Sequence, residues 1–314
     1  MGQKRAAALA PARLSVCCDL LPERAAALAA AWGAETCTDA ADAVTRPGID
    51  IAVIAVTHDR LAPLAALAAA HGKHVLVEKP GARRAAELDA VAEAAARTGV
   101  RVRVGFNHRA HRAVRKAREL VDEGAIGPLL FLRGRYGHGG RPGYDREWRA
   151  NPDVSGGGEL LDQGIHLIDL ARWFLGDFDT VRAMTGTFFW NMPVEDNAFL
   201  LLRTPAGQAA SLHASWTEWK NTFSLEIYGR AGKLEITGLG GSYGMERLAY
   251  YRMTPEMGPP PTTIWEFPMA DDSWRLEWVN FLEDIRLGRA PNPGIPEAQA
   301  ALRLVEQAYR EAAR

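Results

Sequence analysis

Apolar positions in the first hundred residues come in short unbroken runs. Residues 14–18 (LSVCC), 50–56 (DIAVIAV) and 74–77 (HVLV) read as strands buried on both faces, and 102–105 (VRVG) reads as another strand. Helical patterns fill the intervals at 22–32, 58–71 and 82–98, with Pro22 at a first helical position. Strands alternating with helices predict a parallel sheet covered on both faces. The pattern then changes. A helix at 110–123 precedes a strand at 129–136, and a helix follows at 158–175. Strands at 181–190, 198–203, 208–216, 223–229 and 233–237 are joined by short turns, as in an antiparallel sheet. Helices at 274–287 and 295–313 close the chain. The expected fold is α/β plus α+β: a Rossmann-type parallel domain at 1–108 and a mostly antiparallel open-sheet domain with helices at 109–314. The C-terminal helix is a candidate to pack back on the first domain.

Composition supports a boundary near 105–125. The first hundred residues hold 31 alanines, whereas eight of the nine tryptophans lie beyond residue 147. The 37 basic and 38 acidic residues leave a net charge of −1, which excludes a bulk nucleic-acid binder. A 47% hydrophobic and 24% charged chain is not disordered. Three clustered cysteines (Cys17, Cys18, Cys37) make no disulfide framework and point to a reducing compartment. The apolar stretch 61–70 contains Pro63 and falls short of the roughly 20 residues a membrane span needs. At the amino end, Lys4 and Arg5 before AAALA imitate a signal peptide, but Arg13 ends the run. Gly2 lacks the Ser or Thr at position 6 that myristoylation requires. A cytoplasmic protein is expected, with no membrane or nucleic-acid partner. The stretch from Pro255 to Pro261 reads as a surface loop.

An acidic residue ending an early parallel strand belongs to the dinucleotide-binding pattern, where it bonds the ribose hydroxyls. Asp19 after LSVCC fits that place. Gly2, seventeen positions earlier, looks like the last glycine of GxGxxG at the start of its helix. The pattern therefore expects the first strand and first two glycines, about 10 residues in all, upstream of Met1. Without them the middle of the sheet has unpaired backbone and the pyrophosphate turn is absent. Asp19 favours NAD over NADP, since a carboxylate repels a 2′-phosphate.

Glu78, Lys79 and Pro80 (EKP) end the strand HVLV. With DIAVIAVTHDRLAPLAALAAAHGKHVLVEKP, VGFNHR at 104–109, GGGELLDQGIHLIDLARWFLG at 156–176 and VEDNA at 194–198, the chain resembles the Gfo/Idh/MocA oxidoreductase family over nearly its whole length. Read from the residues alone, Lys79 sits where open α/β sheets bind ligands, and it can stabilise a developing alkoxide. Asp162 and His166, at i and i+4, share a helix face that Asp169 continues. A histidine there suits proton removal near neutral pH. The resemblance implies His166 as general base, with Asp162 and Lys79 on the same hydroxyl. It also implies a cofactor lined by Gly2, Asp19, Thr57, His58, Glu78, Lys79, Pro80 and Asn107. Asp162 and His166 could instead ligate a metal with His138 or Asp169, but no HExxH or cysteine cluster supports this, and no metal is expected.

The basic tract 101–118 reads as a solvated helix face, with Arg109 a candidate for a substrate carboxylate or phosphate. The glycine-rich segment 137–158 offers Tyr144, Trp148 and Arg149, either to clamp a sugar ring or to pack the loop. The expected activity is NAD(P)-dependent hydride transfer at a secondary alcohol or ketone of a sugar, cyclitol or related polyol. The alternatives are glycoside cleavage through transient oxidation by NAD, and a truncated, non-catalytic ligand-binding protein. Phe188, Trp190, Trp216 and Trp219 suggest that the second sheet pairs subunits into a homodimer or homotetramer.

Overall fold

The computed structural model describes residues 1–256 and 258–313. The chain divides into two compact units. The first holds Met1–Phe106 and Trp274–Gln299, the second Asn107–Ser273 and the chain from Ala300 onward.

The first unit runs α1 (Gly2–Ala7), β1 (Val16–Cys18), α2 (Pro22–Trp32), β2 (Glu35–Cys37), α3 (Ala40–Thr45), β3 (Ile51–Ile54), α4 (His58–Ala70), β4 (His74–Glu78), α5 (Asp89–Thr98) and β5 (Val102–Gly105). All strand pairs are parallel, as the apolar runs predict. They form two sheets, β1–β2 and β3–β4–β5, and among the described residues no strand joins β1 to β3. Leu9, Ala12 and Leu14, after α1, pack with Ile51 and Val53 of β3, Leu76 of β4, and Trp278 and Phe281. Trp278 donates its indole N–H to the Leu9 carbonyl at 2.7 Å.

The second unit contributes α6 (Arg112–Asp122), β6 (Leu129–Gly137), α7 (Pro152–Ser155), α8 (Ile165–Leu175), β7 (Thr180–Gly186), β8 (Asn197–Arg203), β9 (Ala209–Ser215), β10 (Thr222–Gly229), β11 (Gly232–Thr237), β12 (Glu246–Arg252) and β13 (Thr262–Phe267). Helices α9 (Ser273–Leu287) and α10 (Ile295–Ala312) follow. The eight strands form one sheet, ordered β13-β12-β11-β10-β6-β9-β8-β7. Every pair is antiparallel except β6–β9. Helix α8 lies against β6 and β9.

Several elements differ from the sequence expectation. The helix expected over 82–98 starts as a 3-10 turn at Ala85–Leu88. The helix expected from 158 opens with a π turn, Leu160–Gly164. The strand expected over 181–190 ends at Gly186, because Asp196 accepts the N–H groups of Phe188, Phe189 and Trp190 and curls them into a turn. Trp216 is fully buried with Tyr144, Met192 and Val194, and Trp190 packs against that cluster. Neither belongs to an outer aromatic face. Among the described residues, the expected loop from Pro255 to Pro261 carries no regular element; Met257 lies outside them. Among the described residues, no helix is long and apolar enough to cross a membrane.

Candidate active site

In the second unit the site is built on the start of α8. Two glycines let the chain into it. A Cβ on Gly157 would stand 2.1 Å from the Tyr309 hydroxyl, and one on Gly158 would stand 2.0 Å from the Glu195 carbonyl. The Glu195 carboxylate accepts the N–H groups of Gly158 and Leu160 at 3.0 and 3.1 Å, and the Tyr309 hydroxyl at 2.8 Å. It thus caps the helix start, where the first N–H groups lack a preceding turn to bond. Burial pushes the Glu195 carboxyl up, against the pull of those donors.

Asp162 falls in the π turn, a distortion that recurs at functional sites. Its Oδ2 accepts from Arg149 Nε at 2.8 Å. Arg149 also lies over the Trp148 ring at 4.5 Å and reaches Glu147 at 3.6 Å. Burial works against the Arg149 charge, but Asp162 prevails and raises its pKa. Arg149 is therefore engaged with the candidate catalytic carboxylate, and Trp148 supports it from beneath.

His166, in the first turn of α8, is 4% exposed. Its ring stacks on that of His108, centroids 3.7 Å apart and planes tilted by 33°. Tyr136 meets both rings edge-on, 5.0 Å from His108 and 6.2 Å from His166. Burial raises the Tyr136 hydroxyl well above its ordinary value, reinforced by its hydrogen bond to Tyr243 and by the charges of Glu159 and Asp162. Burial also pushes Tyr243 up to about 12. Asp169 takes Arg109 in a two-pronged pair of 2.8 and 2.6 Å, with Trp173 against the guanidinium at 5.3 Å. Tyr144 is buried in the cluster around Trp216. Asn107 is buried and donates its amide to Ser273 Oγ at 3.0 Å.

In the first unit the candidate cofactor residues other than Gly2 stand at or follow the carboxyl ends of the parallel strands, where open sheets take ligands. Asp19 follows β1 and accepts the Leu21 N–H at 3.0 Å. Thr57 follows β3 as the residue before α4 and bonds Asp59 at 2.6 Å, and His58 opens α4. Glu78 ends β4, and Lys79 and Pro80 follow. Gly2 begins α1, where an added Cβ would meet nothing within 4 Å. Glu78 points to Arg5 at 2.6 Å, and Arg5 also pairs with Glu277 at 2.5 Å and lies 4.4 Å from the Trp274 ring centroid. Burial opposes the Arg5 charge, but Glu277 and Glu78 outweigh it and raise the pKa. A buried pair of this kind costs desolvation and gains only through good geometry, so it is weak evidence of added stability.

Sequence reasoning assigned no role to Glu195, Tyr309, Glu159 or His108. Glu195 and His108 lie inside segments that attracted attention, VEDNA and VGFNHR. Tyr309 meets Glu195 from 114 positions away, with no local signal.

The model for the oxidoreductase family's NAD-binding Rossmann fold (Gfo/Idh/MocA) matches residues 1–106, and that for the Gfo/Idh/MocA C-terminal domain matches residues 114–235. Levoglucosan dehydrogenase of Pseudarthrobacter phenanthrenivorans is 34% identical over 189 residues, 59% of this chain and 48% of that protein. The chain thus matches about half the length of that relative. scyllo-Inositol 2-dehydrogenase (NAD(+)) of Bacillus subtilis is 28% identical over 87% of this chain and 78% of its own. Among solved structures, levoglucosan dehydrogenase in complex with NADH and L-sorbose aligns with a TM-score of 0.85 at 26% identity, covering 99% of this chain and 93% of that one. Its complex with NADH and levoglucosan aligns at 0.89 and 24% identity, over 100% and 95%, and shows the shared fold.

Proposed function

The chain belongs to the Gfo/Idh/MocA oxidoreductase family, and from that premise we propose that it interconverts a secondary alcohol and a ketone on a sugar, cyclitol or related polyol. The observation that carries this is the burial of both Asp162 and His166 at one helix start, Asp162 against Arg149 and His166 against His108. The first unit is an NAD-binding Rossmann domain. Its strand ends suit a dinucleotide: Asp19 offers a carboxylate to ribose hydroxyls, and Thr57, His58 and Lys79 offer donors further along. Asn107 is assigned to the same cofactor. Asp19 favours NAD over NADP. Bound there, the nicotinamide dinucleotide supplies the hydride acceptor.

The protein's own groups handle the oxygen. His166 removes the hydroxyl proton. Asp162, held by Arg149, helps to orient the same hydroxyl. Lys79 donates to the oxygen and stabilises its developing charge. The Glu78–Arg5 pair holds the strand end from which Lys79 projects. Arg109, Tyr144 and Trp148 are support for this machinery in our reading, since each is engaged by protein: Arg109 by Asp169, Tyr144 by the Trp216 cluster, Trp148 by Arg149.

The relatives' names set the first panel to assay: levoglucosan, inositols, apiose and xylose. Reduced cofactor should form with at least one of them. Lys79→Ala should lower turnover by about 10²–10³-fold, the loss seen when a donor to a developing oxyanion is removed. Unchanged turnover would remove Lys79 from the mechanism. Net glycoside cleavage without accumulation of reduced cofactor would assign the transient-oxidation alternative.

We further assign the open face of the eight-stranded sheet to self-association. Met184, Phe199, Leu201, Phe131 and Ile264 are exposed along it, and β7, β8 and β9 align Met184, Phe199 and His213 in one row. Phe188, Phe189 and Trp219 add exposed aromatic surface beside it.

A further inference from the structure

We propose that His108 is a second proton-bearing member of the site, stacked on His166 so that the pair holds one proton between them. This deepens the reading of His166 as base and rests on it. The rings are in van der Waals contact, with centroids 3.7 Å apart, and each residue is 4% exposed. Protonating one ring disfavours protonating the other, because like charges at this separation repel and little water screens them. Two groups so placed titrate as a unit with two macroscopic steps.

The charged and titratable surroundings allow one proton on the pair. From the turn 107–110 and the start of α6 come Arg109, held on Asp169, and His111, whose Nδ1 lies 2.6 Å from Glu246 of β12 and 3.8 Å from Asp271. The His111 ring is 5.6 Å from that of His108. From β6 comes Tyr136, and from the loop after β11 comes its partner Tyr243. The catalytic helix brings Glu159, Asp162 and Asp169, all buried, and the loop before it brings Tyr144, with Arg149 on Asp162. The carboxylates favour a first proton on the imidazole pair, and the contact between the rings opposes a second.

The consequence is catalytic. A proton resting on His108 leaves His166 neutral and able to accept the substrate hydroxyl proton. The acid limb of kcat/KM should therefore fall in two steps, a partial one as the shared first proton spends part of its time on His166 and a full one, tenfold per pH unit, as the second proton binds. In His108→Phe, which keeps an aromatic ring in the stack, it should fall in one, tenfold per pH unit. The decisive experiment needs no turnover. Histidine-labelled full-length protein is titrated by NMR, as wild type, His108→Phe, His108→Asn and His166→Asn. The expected result is a biphasic His166 curve in wild type, with steps separated by more than about one pH unit. Each His108 variant should give a single step, and so should His108 in His166→Asn. A single-step wild-type curve, or a midpoint unchanged in the folded variants, would overturn the proposal. If both His108 variants fail to fold, the wild-type curve alone decides. Full turnover in His166→Asn would instead defeat the assignment of the base, and the titration would still read the coupling.

Discussion

Asp196 shows how a single carboxylate sets a local path. It accepts N–H groups from Phe188, Phe189 and Trp190 at 2.9, 2.8 and 3.0 Å, and the Asn197 amide at 3.0 Å. Burial works against its charge, yet these donors hold its carboxyl below the ordinary range. A depressed pKa contributes stability above the unfolded value, about 3.9, that is lost as pH falls through the folded value. Asp196→Asn should therefore be less stable at pH 7 by about 1–3 kcal/mol, with the deficit shrinking toward pH 3. Urea denaturation at pH 7, 5 and 3 checks this, and a pH-independent deficit would contradict it. At this scale the sequence was partly legible. Asp162 and His166 stand out because helix spacing puts them on one face, whatever lies around them. Arg149 and Arg109 read as substrate-facing because the sequence does not show that buried carboxylates, Asp162 and Asp169, occupy them. The stack of His108 on His166 joins positions 58 apart, and no pattern of apolar residues encodes it.

The elements were legible where burial alone dictates them. β3 and β4 are apolar runs and needed no partner to be recognised. β2, the three residues ETC, exists through its pairing with β1, so its own side chains carry no signal. The start of the helix is clamped by Glu195 and Tyr309, a contact between distant segments. That clamp makes a test. Gly158→Ala drives a methyl into the Glu195 carbonyl and should cost about 1–3 kcal/mol or more, along with most of the activity. Gly2→Ala, with nothing within 4 Å of the new methyl, should be neutral or better. Thermal melts of both variants check this, and equal stability would show that the helix start can shift aside.

For the molecule as a whole, the strand–helix alternation and the later antiparallel pattern were enough to expect two kinds of sheet. The dinucleotide pattern around Gly2 and Asp19 added a gap in the middle of the first sheet, and β1–β2 and β3–β4–β5 are separate sheets among the described residues. None of these patterns showed that β6 and β9 run parallel inside the larger sheet. The exposed apolar row on that larger sheet leads to a prediction at this scale. Light scattering should find the protein as a dimer or tetramer at micromolar concentration, and Phe199→Glu with Leu201→Glu should leave monomers that still fold. Wild type that is already monomeric would remove the sheet from self-association. The central claim is hydride transfer from a polyol carbon, with His166 taking the proton. It is tested most directly with a polyol deuterated at the carbinol carbon, by mass spectrometry of the recovered cofactor. The account predicts one deuterium per turnover in the cofactor, and a rate about 10²–10⁴-fold lower in His166→Asn. A cofactor that binds but gains no deuterium from any polyol tested, or transfer at full rate without His166, would contradict it.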